Sequence, residues 1–236
     1  MNQTLIGALL QQRARSLPRV ALAITFFFFP LLVVAFARGA GLAPLHTGAA
    51  FAVLLAAGLI GQDMSSGTLQ LLFARPVSRG EYVLSRWLGA ALAASCLAMA
   101  QLAIGAALMA LHGESPPVRT LALFAGGQAL AAFGTTSVLL LFSTLLPGIG
   151  DFLATIVAGI LGQALQLGAA LFKAPWLARA GVEIGRFVAP ELDLGPLFRG
   201  GPVSWFEVAS YFSTVTLCVA LAIVIMNRRE LSYATE

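Results

Sequence analysis

Charge is scarce in this chain of 236 residues. Charged side chains make up 10% of it, where a soluble domain carries about 25%. Hydrophobic residues make up 59%, which excludes an ordinary water-soluble globule. Cysteine is nearly absent. Cys96 and Cys218 sit alone in separate apolar runs and read as small packing residues rather than metal or redox groups. Lysine occurs once, as Lys173 after Phe172. A nucleotide-binding loop needs a lysine after glycine, placed to reach the β- and γ-phosphates, so ATP binding by that mechanism is excluded. The two histidines, His46 and His112, are far apart, and there is no His-Glu-x-x-His zinc motif.

Other chemistries fall away on similar grounds. Gly148-Ile149-Gly150-Asp151 matches a string found in intramembrane aspartyl proteases. That reaction needs a second aspartate inside a neighbouring span, and no predicted span holds one. The string reads instead as a tight turn, with Asp151 capping the helix that follows. No predicted span has an acid or base at its middle, as proton-driven pumping usually needs. The first apolar run follows a polar stretch and is too long for a cleavable signal peptide.

What the chain does have is long apolar runs. A spanning helix needs roughly 20 mostly apolar residues. Six candidates run over 20–37, 48–61, 87–111, 120–146, 152–172 and 208–226. The second is short and is expected to extend a turn at either end. The first carries Phe26 to Pro30, a bulky run ending in a proline that kinks helices. The expected fold is an all-α integral membrane protein of six transmembrane helices, forming a single domain over 1–236. Residues 1–19 form a leader whose Leu5, Ile6, Leu9, Leu10 and Leu17 share a face, as in a helix lying in the membrane interface. A frayed polar leader is the alternative. With six spans both ends share a side. Placed inside, that side holds eight arginines against six basic residues outside, four of them in the loop 173–207. The positive-inside rule therefore puts both termini in the cytoplasm. The loop 173–207 has apolar stretches too short to span, suited to dipping into the outer leaflet.

Between the second and third spans lies a polar island, 62–86. Leu69, Leu72 and Phe73 have i, i+3, i+4 spacing and mark one face of a short helix. Pro76 ends that helix near Arg75. Ser78 and Glu81 form a Ser-x-x-Glu capping box that starts the next helix. Gly67 is expected to be small because a side chain would collide with the end of span two or with a partner. Uncharged polar groups also occur inside the spans. Gln163 and Gln166 share a face of the fifth span, and Gln101 and Gln128 lie in the third and fourth. Gln128, Gln163 and Gln166 are candidates for lining a transport path. The other reading is interhelical hydrogen bonding.

The island resembles the loop between spans two and three of ABC transporter permeases of the type-2 exporter family. The matching residues are Asp63, Gly67-Thr68-Leu69, Leu71-Leu72, Pro76-Val77-Ser78-Arg79 and Arg86. Two positions depart from the family pattern: Asp63 stands where glutamate is more usual, and Arg86 where lysine is. The ending Asn227-Arg228-Arg229-Glu230-Leu231 also looks like the family's close. The resemblance implies a permease subunit of an ATP-driven exporter in the inner membrane. It would work as a pair, with an identical copy or a paralogue, and with separate ABC ATPase subunits in the cytoplasm. It implies no catalytic site, metal or cofactor in this chain, with ATP and magnesium on the ATPase. Membrane lipid is an expected partner and nucleic acid is not. The cytoplasmic coupling helix would use Asp63, Gly67, Thr68, Leu69, Leu72, Pro76, Ser78, Arg79 and Arg86, with Arg79 offering a fork to an ATPase carboxylate. Asp63 and the compact chain also resemble permeases linked to maturation of the copper enzyme nitrous oxide reductase. A secondary transporter or channel, or a membrane assembly factor, are the alternatives.

Overall fold

The computed structural model describes residues 17–37, 39, 41–69 and 78–229. Among these the secondary structure is helical, with no strand. The helices are α1 (Leu17–Phe36), α2 (Gly48–Ala56), α3 (Gly61–Ser65), α4 (Arg79–Leu111), α5 (Val118–Leu145), α6 (Gly150–Phe172), α7 (Pro175–Val188), α8 (Gly195–Phe198) and α9 (Trp205–Arg228). A 3-10 turn, Ala43–Leu45, precedes α2. Six stretches are long and apolar enough to cross a membrane: Leu17–Phe36, Ala43–Ser65, Arg79–Leu111, Val118–Leu145, Gly150–Phe172 and Trp205–Arg228. The chain is an all-α, multi-pass membrane protein. Apart from Leu17, Pro18 and Arg19, which open α1, the predicted leader lies outside the described residues.

Helix α5 is the centre, packed against α2, α4, α6 and α9. Helix α1 leans on α4 and keeps Phe28, Phe29 and Phe36 exposed, as a lipid-facing helix does. One end of the bundle gathers Leu17, α3, the start of α4, the α5–α6 turn and the end of α9. It is called the basal end below, and the other the distal end.

Water is absent from a bilayer core, so buried backbone groups need partners from the protein. Pro30 lacks an N–H and deprives the Phe26 carbonyl of its helical donor. The Gln101 amide fills the gap, donating to Phe26 O at 2.9 Å and Phe27 O at 2.7 Å. Its oxygen accepts the Thr47 hydroxyl. Gln128 serves the start of α2 in the same way. Its oxygen accepts Thr47 N at 3.1 Å and Gly48 N, and its nitrogen donates to Leu45 O at 2.9 Å. Both glutamines are fully buried. Of the two readings of Gln128, this geometry is interhelical bonding.

The second span is not the single helix expected. It breaks between α2 and α3. Gly58 takes φ 68°, a left-handed conformation suited to glycine. Gly58 N donates to both Asp151 carboxylate oxygens, at 2.9 and 2.7 Å. Ile60 N and Gly61 N donate to Ser143 Oγ at 2.8 and 2.9 Å. Gly148 N closes the contact on Gly61 O at 2.8 Å. Gly61 must be glycine, since a Cβ there would stand 2.7 Å from the carbonyls of Gly148 and Leu146. The expected role of Asp151, capping its own helix, is only part of what it does. It bonds Phe152 N at 2.8 Å, but it is fully buried and its main partner is the broken span. Residues 57–60 are all buried, the condition under which irregular backbone survives at membrane depth.

The loop 173–207 holds a re-entrant hairpin. Lys173 closes α6 at φ 50°, and α7 runs back alongside α6. Gly181 meets Gly162, at the midpoint of α6, closely enough that a Cβ on Gly162 would lie 3.1 Å from Gly181 O. Phe187 stacks edge-on to Phe142 of α5, with centroids 6.3 Å apart. The chain then returns along α5. The Pro190 carbonyl packs on Gly134 and Leu194 on Gly127. Arg119 binds Leu197 O at 2.8 Å at the distal end. The predicted apolar stretches thus fall on α7, which reaches the middle of α6, and on α8 at the distal end.

These roles differ in their energetic consequences. Gln128→Leu strands two amide donors and a carbonyl, each costing about 1–3 kcal/mol when buried and unpaired. Thermal unfolding in detergent should drop clearly for Gln128→Leu and stay near wild type for Gln163→Leu, an exposed position.

Candidate functional site

The polar island grows from two stems, α3 and α4. Ser66 caps the end of helix α3, and Gly67 turns the chain at φ 70°. A Cβ on Gly67 would meet nothing within 4 Å. Among the described residues its need for glycine is therefore the left-handed backbone and not a collision with the end of span two. Ser66 and Thr68 join through their hydroxyls at 2.7 Å. Leu69 turns inward and is buried in a cluster with Ile60, Tyr82, Val83 and Met226. Residues 70–77, including Leu72 and Pro76, lie outside the described residues. Ser78 caps α4, its hydroxyl accepting Glu81 N at 3.2 Å, as the capping box predicts.

The two stems are clasped by charge. Asp63 of α3 forms an ion pair with Arg86 of α4 and accepts the Tyr82 hydroxyl through the same carboxylate oxygen. Asp63 is 2% exposed and Arg86 6%, so the pair is cut off from solvent. Tyr82 and Arg86 are four residues apart and share a helix face. The guanidinium also sits 5.2 Å from the Tyr82 ring centroid, within range of a cation–π attraction. The acid and the base that the motif sets 23 residues apart therefore meet and close the island at its root.

Arginines then lock the last span over this clasp. Arg79 Nη1 donates to Met226 O at 2.9 Å, Asn227 O at 3.1 Å and Arg229 O at 2.7 Å. A cation at a helix C-terminus meets carbonyls without helical donors and the negative end of the dipole. The family resemblance assigns Arg79 to an ATPase carboxylate. In this fold its Nη1 is engaged within the chain. Arg229 Nη1 reaches back to Thr144 O and to the Met64 sulfur, both at 2.9 Å. Met64 adjoins Asp63, so α3, α4, α5 and α9 meet in one knot at the basal end.

The candidate path residues lie elsewhere. Gln163 and Gln166 are exposed on α6, and the Gln166 stem packs against Gly181. Nearer the distal end is a cavity of about 670 Å³, whose wall includes His46, Phe124, Arg186, Glu191, Asp193 and Phe198. Arg186 forms an exposed pair with Glu183 at 3.3 Å. Gln128 lines neither feature.

Sequence reasoning missed Tyr82, Gly58 and the reach of Asp151 to span two. Only Tyr82 left a usable signal, its i, i+4 spacing to Arg86.

Comparison with known families gives one finding. The family model described as ABC-2 family transporter protein matches residues 2–172, well over half of the chain. The chain belongs to the ABC-2 transporter family. It is therefore a membrane component of the ABC permease type, in a family that pairs generally with ABC ATPases. The matched region contains the clasp, the broken span and both stems of the island. A comparison with curated proteins finds no match.

The clasp makes a stability prediction for this ABC-2 protein. Removing one partner of a buried ion pair typically costs about 3–5 kcal/mol, because the other charge stays behind unpaired. Asp63→Leu and Arg86→Met should each destabilise the detergent-solubilised protein strongly. The double variant should recover a large part of the loss. A double variant worse than the sum of the singles would remove the clasp as an explanation.

Proposed function

We propose that the chain is the membrane-spanning permease subunit of an ATP-driven exporter. It pairs with a second permease copy, identical or paralogous, and with separate ABC ATPases docked at the basal end. That end is cytoplasmic, with both termini, and the membrane is the inner membrane. The observation that carries the reading is the knot at the root of 62–86. A loop meant to receive force from a partner must be anchored to the spans it moves, and this one is anchored to three. Asp63, Arg86 and Tyr82 bind span two to span three, and Arg79 and Arg229 bind both to span six.

Within this reading the residues divide by role. Asp63, Leu69, Ser78, Arg79 and Arg86 set the frame. Gly67 and Thr68, with Leu72 and Pro76, present the coupling segment to the ATPase. ATP and magnesium belong to the ATPase, since the permease lacks a nucleotide-binding loop. Gln163 and Gln166, exposed within an apolar span, face the path or the second copy. Lipid covers the aromatic face of α1.

Two measurements test this. The purified chain alone should hydrolyse no ATP, and hydrolysis should appear on adding a separate ABC ATPase subunit. Robust turnover by the chain alone, free of contaminants, would overturn the reading. For topology, single cysteines at Ser78 and Ser204 are placed in a background lacking Cys96 and Cys218. A membrane-impermeant thiol reagent applied to intact cells should label Ser204→Cys and spare Ser78→Cys. The reverse pattern would invert the assignment of the basal end.

A further inference from the structure

The break in span two has a mechanical reading that rests on the basal end being the ATPase dock. In a continuous helix the N–H groups of Gly58, Ile60 and Gly61 would bond carbonyls four residues earlier. Here they bond Asp151 and Ser143 instead. The Ala57 carbonyl takes the Arg19 guanidinium at 3.4 Å, and Arg19 lies within electrostatic reach of Asp151. Span two is thus interrupted along its own axis and spliced sideways into the α5–α6 turn.

The two sides of the splice have different attachments. Below it, α3 is welded to α4 and α9 by the clasp and by Arg229. Above it, α2 is held by Gln101 and Gln128 and by packing of Phe51 and Ala52 against Ala94, Ala98 and Ala132. Helix α6 is different. It packs mainly on α7, with α5 as its other neighbour, and its flank is largely exposed. The α6–α7 hairpin carries Gln163, Gln166 and the Arg186 side of the distal cavity. Asp151 in the first turn of α6 is its buried polar tie to span two, and Gly148 N bonded to Gly61 O adds a second in the turn before it.

We propose that Asp151, supported by Ser143, is a positioning residue that carries movement of the coupling segment across the broken second span to the α6–α7 hairpin. Pushing the segment moves α3, α3 moves the backbone at 58–61, and Asp151 on α6 carries that movement to the hairpin beside the cavity, while Ser143 of α5 keeps the broken backbone in the shape that Asp151 binds. A helix break inside a membrane protein then acts as a joint between elements and not as a defect.

The test uses the permease–ATPase complex in lipid bilayers. Spin labels are placed on Cys96 of α4 and on Val182→Cys of α7, both exposed, with Cys218 replaced by alanine. Labelled chains are diluted with unlabelled ones, so that only distances within one chain are read. Trapping the ATPase with ATP and vanadate should shift the distance in the otherwise wild-type chain by roughly one helical turn, about 5 Å. Asp151→Ala and Ser143→Ala should keep ATPase binding and hydrolysis but lose most of that shift. Asp151→Asn, which still offers an oxygen to Gly58 N, should retain more of it. An undiminished shift in Asp151→Ala and Ser143→Ala, or no shift in the wild-type complex, overturns the proposal. If Asp151→Ala fails to insert, Asp151→Asn carries the test, and an undiminished shift in it overturns the proposal. Failure of the ATPase to bind the wild-type chain is a separate outcome, and it sinks the proposed function along with the joint.

Discussion

A bilayer gives the backbone no water to bond with, and the architecture of this protein follows from how it answers that constraint. Interruptions of helical bonding inside the bundle are met by polar side chains from neighbouring spans. Gln101 answers Pro30, Gln128 answers the start of α2, Ser143 and Asp151 answer the break at 57–60, and Arg79 answers the end of α9. Each answer also ties two spans together. The same bonds that satisfy the backbone therefore hold the bundle in register, in a solvent where burying apolar surface gives helices little reason to associate.

This explains what could be read from the sequence. Six spans were legible, because hydropathy over about 20 residues is the strongest signal a chain carries. Ser78 was legible as a cap, because Ser-x-x-Glu is local. The break in span two was not. Ala57-Gly58-Leu59-Ile60 reads as ordinary apolar sequence, and the partners that unwind it lie more than 80 positions away. Asp151 looked like a cap for its own helix because sequence shows only its neighbours. The re-entrant hairpin was half legible. Its apolar patches were visible, but their joining into a helix along α6 depends on Gly162 meeting Gly181, a contact between two spaced glycines. Asp63 and Arg86 were chosen through a family motif, and only the fold brings them into contact.

The clasp shows why a buried charge pair suits this place. A hydrophobic pair of similar volume often stabilises a fold as well or better. What it cannot supply is direction. Asp63 accepts from both Arg86 and Tyr82, so the register of α3 on α4 is set by hydrogen-bond geometry and not by volume alone. A loop that enters by α3 and leaves by α4 starts from a fixed base, and its orientation at the membrane surface follows. The charges also cancel, so the root of the loop can sit at the membrane boundary without an uncompensated ion.

The charges of α7 pose the opposite problem. Arg179, Glu183 and Arg186 recur at i, i+4 and i+7 and form one face, while Leu177, Gly181, Ile184 and Val188 form the other. The apolar face is turned to α6, and the charged face is exposed. Because the hairpin runs back to the midpoint of α6, part of that face sits beside the middle of an apolar span. Charged side chains at such depth face water-filled space or another protein surface. One protomer supplies neither in full: its cavity wets the Arg186 end, and the rest of the face is bare. A single copy of this chain therefore leaves an electrostatic requirement unmet inside the membrane. In the proposed assembly a second permease subunit set against the hairpin, enclosing water with it, would meet that requirement at the place where Gln163 and Gln166 are also exposed.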